Sequence, residues 1–246
     1  MRYTICAILV AASVARVAAA ELAVLATAAA QGPVQALDKA FQPDRAAKVH
    51  FDTSPNIAKR LAAGETPDVL IAQAATVDQL IKDGRALAAT RTPVGRIGVG
   101  VGIGRGGRRP DISTVDALKA ALLQADAVVY SRGASGLLVE QLLRTIGVAE
   151  QISSKVVQLP TGDDVMQRLG MTKGNQIGFT MVSEIKLGES HGGSFVGPLP
   201  AAVQTYTAYD AVVMSGSTAP DAARAVVHAL TTPAARQVFT AAGWEF

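Results

Sequence analysis

A chain of 246 residues that is 49% hydrophobic and 17% charged is too apolar to stay disordered and long enough to bury a substantial core, as one large domain or two smaller lobes. Its 23 Lys+Arg against 20 Asp+Glu become 21 against 20 once Arg2 and Arg16 are set aside with a segment expected to be removed. With an aromatic share of 4% and no basic run longer than Arg108-Arg109, little electrostatic footprint for DNA or RNA remains.

In chain order, the first feature is Arg2, an apolar run from Ile5 to Val14, and Ala18-Ala19-Ala20 before Glu21. This pattern predicts a secretory signal peptide, residues 1–20, cleaved after Ala20 to leave a periplasmic protein. The run is interrupted by Arg16 and falls short of the roughly 20 apolar residues that a bilayer-spanning helix needs. The single cysteine, Cys6, lies inside this segment with no lipobox before it, so neither a disulfide nor a lipid anchor is expected.

From Glu21 onward, β-rich apolar runs alternate with segments of helical period, the pattern of an α/β fold with mainly parallel sheets. Strands are predicted near 22–25, 48–51, 69–72, 96–101, 127–130, 155–158, 176–179 and 206–215. Helices are marked by the apolar stripes Val34, Leu37 and Phe41; Ile57 and Leu61; Val77, Leu80 and Ile81; Leu118 and Leu122; Leu138, Leu142 and Ile146. Six glycines and three arginines make 98–110 read as a mobile, solvated stretch, and a second irregular stretch covers 188–200. Two closing helices, 220–230 and 233–243, have proline at or near their starts, the first capped by Thr218 or Ala219. Two lobes joined by two chain crossings fit this layout: 21–98 with 206–246, and 99–205.

The chemistry-bearing residues cluster after the strands. Thr27 to Pro33, Asp52 to Asn56, Ser131 to Gly136 and Pro160 to Asp164 are small, hydroxyl-rich turns, each opening a helix. Ser54-Pro55 reads as an N-cap with a first-turn proline, and Thr161 with Asp164 as an approximate capping box. Taken singly, each turn is explained as a cap. In a parallel α/β sheet, however, strand carboxyl ends share one edge, and several helix N-termini facing one cleft bind an anion through free N–H groups and partial positive charge. Arg132 offers a planar bidentate donor to a carboxylate or oxyanion, or is simply a solvated loop arginine.

Enzymatic patterns are weaker. Gly133-Ala134-Ser135-Gly136-Leu137 departs from a nucleophile elbow at Leu137, and only His50, His191 and His228 are available as a base. The literal G-x-G-x-x-G at 102–107 runs into Arg108-Arg109-Pro110 where a dinucleotide site needs a helix. No H-E-x-x-H, C-x-x-C or calcium-loop spacing occurs, so neither metal nor cofactor is expected.

The signal segment, Leu22 to Ala29, Phe51 to Ser54, and above all Leu61-Ala62-Ala63-Gly64-Glu65-Thr66-Pro67-Asp68-Val69-Leu70-Ile71 together resemble the periplasmic molybdate-binding-protein-like family of ABC importers. Tyr130-Ser131, Ala134-Ser135-Gly136 and Thr232-Pro233-Ala234-Ala235 continue the likeness. The resemblance implies a two-lobed, type II periplasmic binding fold that closes on one ligand and hands it to an inner-membrane permease, with no bond broken and a monomer as the default. It carries the family's oxyanion donors onto Ala29, which keeps only its N–H, onto Ser54, near Ser135 and Val165, and onto Met181 where those binders have a tyrosine. Losing a hydroxyl and a phenol weakens the case for molybdate itself and opens that of a small carboxylate, with Arg132 as charge partner. Two other expectations share the cleft: a hydrolase using Ser135, and a receptor presenting its ligand to a membrane sensor.

Overall fold

A computed structural model describes residues 21–37 and 47–246; the signal segment and Phe41 of the first stripe lie outside them. Nine strands and nine α-helices alternate among the described residues: β1 (Leu22–Thr27), α1 (Gln31–Leu37), β2 (Ala47–Asp52), α2 (Ser54–Ala62), β3 (Val69–Gln73), α3 (Ala74–Lys82), β4 (Thr92–Ile103), α4 (Val115–Gln124), β5 (Ala127–Ser131), α5 (Ala134–Thr145), β6 (Val156–Leu159), α6 (Gly162–Met171), β7 (Gln176–Met181), α7 (Val182–Gly188), β8 (Ser194–Pro198), β9 (Tyr206–Val213), α8 (Pro220–Ala229) and α9 (Pro233–Ala241). None of these helices is long and apolar enough to cross a membrane.

The strands follow the order β2-β1-β3-β9-β4-β7-β5-β6, with β8 on β4. Parallel pairs sit at both ends: β1 with β2 and β3, β5 with β6 and β7. The middle is antiparallel, through β9 and β4. The inner parallel strands β3, β5 and β7 are buried on both faces, which explains continuous apolar runs such as Val69-Leu70-Ile71, while the edge strands β2 and β6 are only half-buried. Strand β4 is shared: 92–98 pair with β9, while 99–103 pair with β7 and β8. The chain returns beside this junction at Gln204, whose side chain accepts the Val99 N–H (3.1 Å) and donates to the Val99 carbonyl (2.9 Å).

Two sequence expectations need correction here. The glycines of 98–110 do not all belong to a solvated stretch, because Gly98, Gly100 and Gly102 lie inside β4. They permit close approach: a Cβ on Gly98 would stand 2.8 Å from the Gln204 amide, and one on Gly100 would stand 2.9 Å from Ile185 Cδ1. The irregular stretch 188–200 likewise contains β8, which is short, preceded by Gly192-Gly193, ends on Pro198, and is paired to β4 through a bulge.

Asp68, in the motif that carries the resemblance, is structural. One carboxylate oxygen accepts the Ala23 N–H (2.9 Å), and the other accepts the Ser217 hydroxyl (2.6 Å) and the Thr218 N–H (3.1 Å). It thereby ties β1, β3 and the segment before α8 together. Helix starts follow local rules: Thr114, Thr161 and Thr232 cap α4, α6 and α9 through their hydroxyls, while Pro220 opens α8 behind Ala219.

Candidate functional site

The carboxyl ends of β1, β2, β5 and β7, with the start of α6 after β6, converge on one cavity of about 20 Å³. That is room for little more than one ordered water. It shares Ala28, Thr53 and Glu184 with a wider neighbouring cavity of about 150 Å³. The first half of the sequence contributes Thr27, Ala28, Ala29, Thr53 and Ser54. The second contributes Ser131, Gly133, Ala134, Ser135, Gly162, Met181 and Glu184, and Tyr209 of β9 stands beside them. The halves are already in contact, since the buried Ser183 hydroxyl donates to the Ala29 carbonyl at 2.6 Å.

Ala28, Ala29, Ser54, Ala134, Ser135 and Gly162 all occupy first turns, where backbone N–H groups lack intrahelical acceptors. No lysine, arginine or histidine lines either cavity. The polar groups facing the cavities are therefore first-turn N–H groups, hydroxyls and the carboxyls of Glu184, Asp52 and Asp163. The cap of α2 differs by one residue from the sequence expectation: Thr53 is the N-cap, its hydroxyl accepting the Asn56 N–H at 3.4 Å. Ser54 is thereby relieved of capping, and its hydroxyl has no partner among the described residues.

The opposite wall is wired internally. The Gly133 N–H donates to Ser131 Oγ at 3.2 Å; the Ser131 and Ser135 hydroxyls share a hydrogen bond at 3.1 Å; Ser135 Oγ lies 3.4 Å from Thr180 Oγ1. Thr180 in turn donates to Glu184 Oε2, which also accepts the Met181 N–H at 3.1 Å. Burial pushes the Glu184 carboxyl above the usual carboxylate range, opposed by the Thr180 and Met181 hydrogen bonds and reinforced by the Asp163 charge. The Tyr209 phenol is pushed up by burial and next by Glu184, against hydrogen bonds from Thr27 and Gln73. Backbone close approach makes this wall possible: a Cβ on Gly162 would collide with Thr180 Oγ1 and stand 2.8 Å from Glu184 Oε1, and one on Gly136 would collide with the Ser131 carbonyl.

Of the residues singled out from sequence, Ala29, Ser54, Ser135 and Met181 meet at the cavity. Arg132 and Val165 do not. Arg132 is exposed and lines neither cavity, because its N–H donates to the Leu159 carbonyl (2.8 Å) and continues the β5–β6 ladder while the side chain leaves for solvent. Val165 is fully buried in a cluster with Val129 and Leu169, and its N–H is spent on the Thr161 carbonyl (3.3 Å). The Met181 N–H is likewise taken by Glu184. Ser135 has hydroxyls as its neighbours and no histidine in the cavity, which leaves the hydrolase expectation without its base. Among the described residues no group of three or more His, Cys, Asp or Glu could hold a metal ion.

Glu184 and Tyr209 were not anticipated. Met181-Val182-Ser183-Glu184 places an acid three residues into a helix start, a signal that reads as local capping, and Tyr209 reads as an ordinary strand residue.

With this geometry in hand, comparison with known proteins is decisive on family. The model of the bacterial extracellular solute-binding proteins matches residues 22–245. The chain belongs to that family. Its fold is that of the periplasmic molybdate-binding protein of Azotobacter vinelandii (TM-score 0.75, 17% identity, 92% of this chain and 99% of the other). The sulfate-binding protein SubI of Mycobacterium tuberculosis H37Rv is similar too (TM-score 0.69, 16% identity, 91% and 86% covered). A curated relative from Pseudomonas sp, 27% identical over 233 residues covering 90% of this chain and 86% of its own length, is named aconitate isomerase. The α/β binding-protein fold expected from sequence is thus the observed one.

Proposed function

We propose that this protein is an exported receptor that captures one small anion between its lobes and delivers it to an ABC permease in the inner membrane. The observation carrying this reading is the convergence of first-turn N–H groups and hydroxyls on one small cavity without a cationic side chain. Ala29, Ser54 and Ser135 are the proposed donors. The cavity as it stands is too small for a polyatomic anion, so the ligand enters with the lobes parted, and closure trades lobe opening for ligand contacts in both walls. The wider adjoining space, lined by Gln31, Thr53 and Thr161, gives a carboxylate-bearing ligand somewhere to extend.

A second reading, isomerisation of a small polycarboxylic acid, is favoured by the aconitate isomerase relative together with Glu184 in the same cavity. A poised carboxyl beside the ligand is the equipment for moving a proton. Thermal-shift and calorimetric titration of residues 21–246 with molybdate, sulfate and cis-aconitate, followed by NMR of the aconitate sample, tests both. A raised midpoint without chemical change supports the receptor. Conversion of aconitate overturns the receptor-only account, and no response to any of the three removes both readings for these ligands.

A further inference from the structure

The wired wall ends on a carboxyl, which is an odd neighbour for an anion. Glu184 lines both cavities, and neither contains a cation to neutralise it. Other charges near it are committed elsewhere. Asp163 of α6 is held by His191 (2.9 Å) and Gln167 (2.6 Å), and Asp164 by Thr161. Asp52 of β2 is held by Arg60 (3.4 Å) and Asn56 (2.8 Å), and Lys186 of α7 donates to the Ala241 carbonyl (2.8 Å). From β9, Tyr209 presents a phenol that burial pushes up. Both hydrogen bonds that Glu184 accepts fall on Oε2, leaving Oε1 without a partner among the described residues.

From this arrangement we infer that the cleft binds its anion together with a proton held on Glu184, the carboxyl serving as a neutral donor while the ligand is bound. The inference rests on the anion reading above. An ionised Glu184 and an anion enclosed without a counter-charge repel each other, whereas the acid form turns the same side chain into a hydrogen-bond donor through Oε1. The proton balance is simple: ionised receptor, anion and one solvent proton give the closed complex. With the proton on Oε1, Oε2 remains the acceptor for the Thr180 hydroxyl and the Met181 N–H, so the network behind it keeps its directions. Glu184 is thereby a specificity-determining residue: it makes affinity depend on pH for ligands that do not themselves titrate.

The test is calorimetry of residues 21–246 with sulfate, molybdate and cis-aconitate, in buffers of different ionisation enthalpy, between about pH 7 and pH 9 where the probes are ionised. Wild type should take up close to one proton per anion, its affinity falling by up to about tenfold per pH unit. Glu184→Gln, which keeps an acceptor and a neutral donor, should bind with no uptake and a flat profile. Thr180→Val, which removes a bond that favours the ionised carboxyl, should move the fall in affinity to higher pH. Infrared spectra of ligand-saturated wild type should contain a protonated-carboxyl stretch that is absent from Glu184→Gln. Binding without proton uptake, or an unchanged pH slope in Glu184→Gln, overturns this inference and leaves the anion reading standing. If none of the probes binds wild type, the anion reading fails and this inference fails with it.

Discussion

The two walls of the cleft reach one cavity with different chemistry. The wall from β1 and β2 offers Ala28, Ala29 and Ser54, a set of first-turn donors with no partner inside the wall, whereas the wall from β5, β6 and β7 runs its hydroxyls into one another and ends on Glu184. The first wall has free donors; the hydroxyls of the second are already paired with one another. On the receptor reading proposed above, the difference divides the work: free donors would supply affinity, and the prewired network would fix geometry.

This contrast can be broken or sharpened by substitution, beginning with the largest effect. Gly136→Ala drives a methyl into the Ser131 carbonyl where α5 leaves β5, and the wired wall can accept it only by moving backbone. A loss of about 3 kcal/mol of unfolding free energy is expected in chemical denaturation, at the upper end of overpacking effects. An unchanged midpoint would mean that the wall is far less rigid than its network implies.

Ser54→Ala probes the open wall instead. With its hydroxyl unpaired and Thr53 as the cap, stability should change by less than about 0.5 kcal/mol. Affinity for the bound anion, read by calorimetry, should fall by roughly 1–3 kcal/mol. The reverse pattern, lost stability with intact affinity, would return Ser54 to a purely structural role.

Glu184 separates the walls by pH. Its carboxyl is raised in the folded state above the ordinary value of 4.5, so its contribution to stability is fully present below the unfolded value and is lost as pH rises through the folded one. Wild type should therefore lose stability relative to Glu184→Gln as pH rises from about 4.5, by at most about 1.4 kcal/mol per pH unit within that window. Parallel stability profiles would show Glu184 to be an ordinary ionised cap. The smallest effect belongs to Thr53→Ala, which removes the α2 cap at a cost of about 1 kcal/mol; thermal unfolding should register it.

Much of this molecule is legible in its sequence, for physical reasons that also mark where legibility ends. The alternation of β-branched runs with helical stripes places eight of the nine strands, because burial on both faces leaves an uninterrupted apolar signature in strands such as β3 and β5. Strand β8 escapes, since five residues that follow two glycines and themselves end on Gly197-Pro198 carry too little pattern. The hydroxyl-rich turns point to Ser54 and Ser135 because each follows a strand end, and the sheet brings those ends together. What a local pattern cannot supply is direction. Arg132 follows Ser131 directly, yet alternation along the strand sends one side chain to the cavity and the next to solvent. Glu184 is invisible for the opposite reason: its local role as a helix-start acceptor is complete in itself, and only the placement of β7 beside β5 aims it at the cavity.

The central claim is that the small anion sits between the two walls, and a structure of residues 21–246 crystallised with the anion that gives the largest thermal shift tests it most directly. The account predicts one anion within hydrogen-bond reach of the Ala29 N–H, Ser54 Oγ and Ser135 Oγ, with Glu184 beside it and the lobes closed. Density for the anion elsewhere, for example in the groove between Arg108, Arg109 and Asn175, with this cavity holding only water, would contradict it.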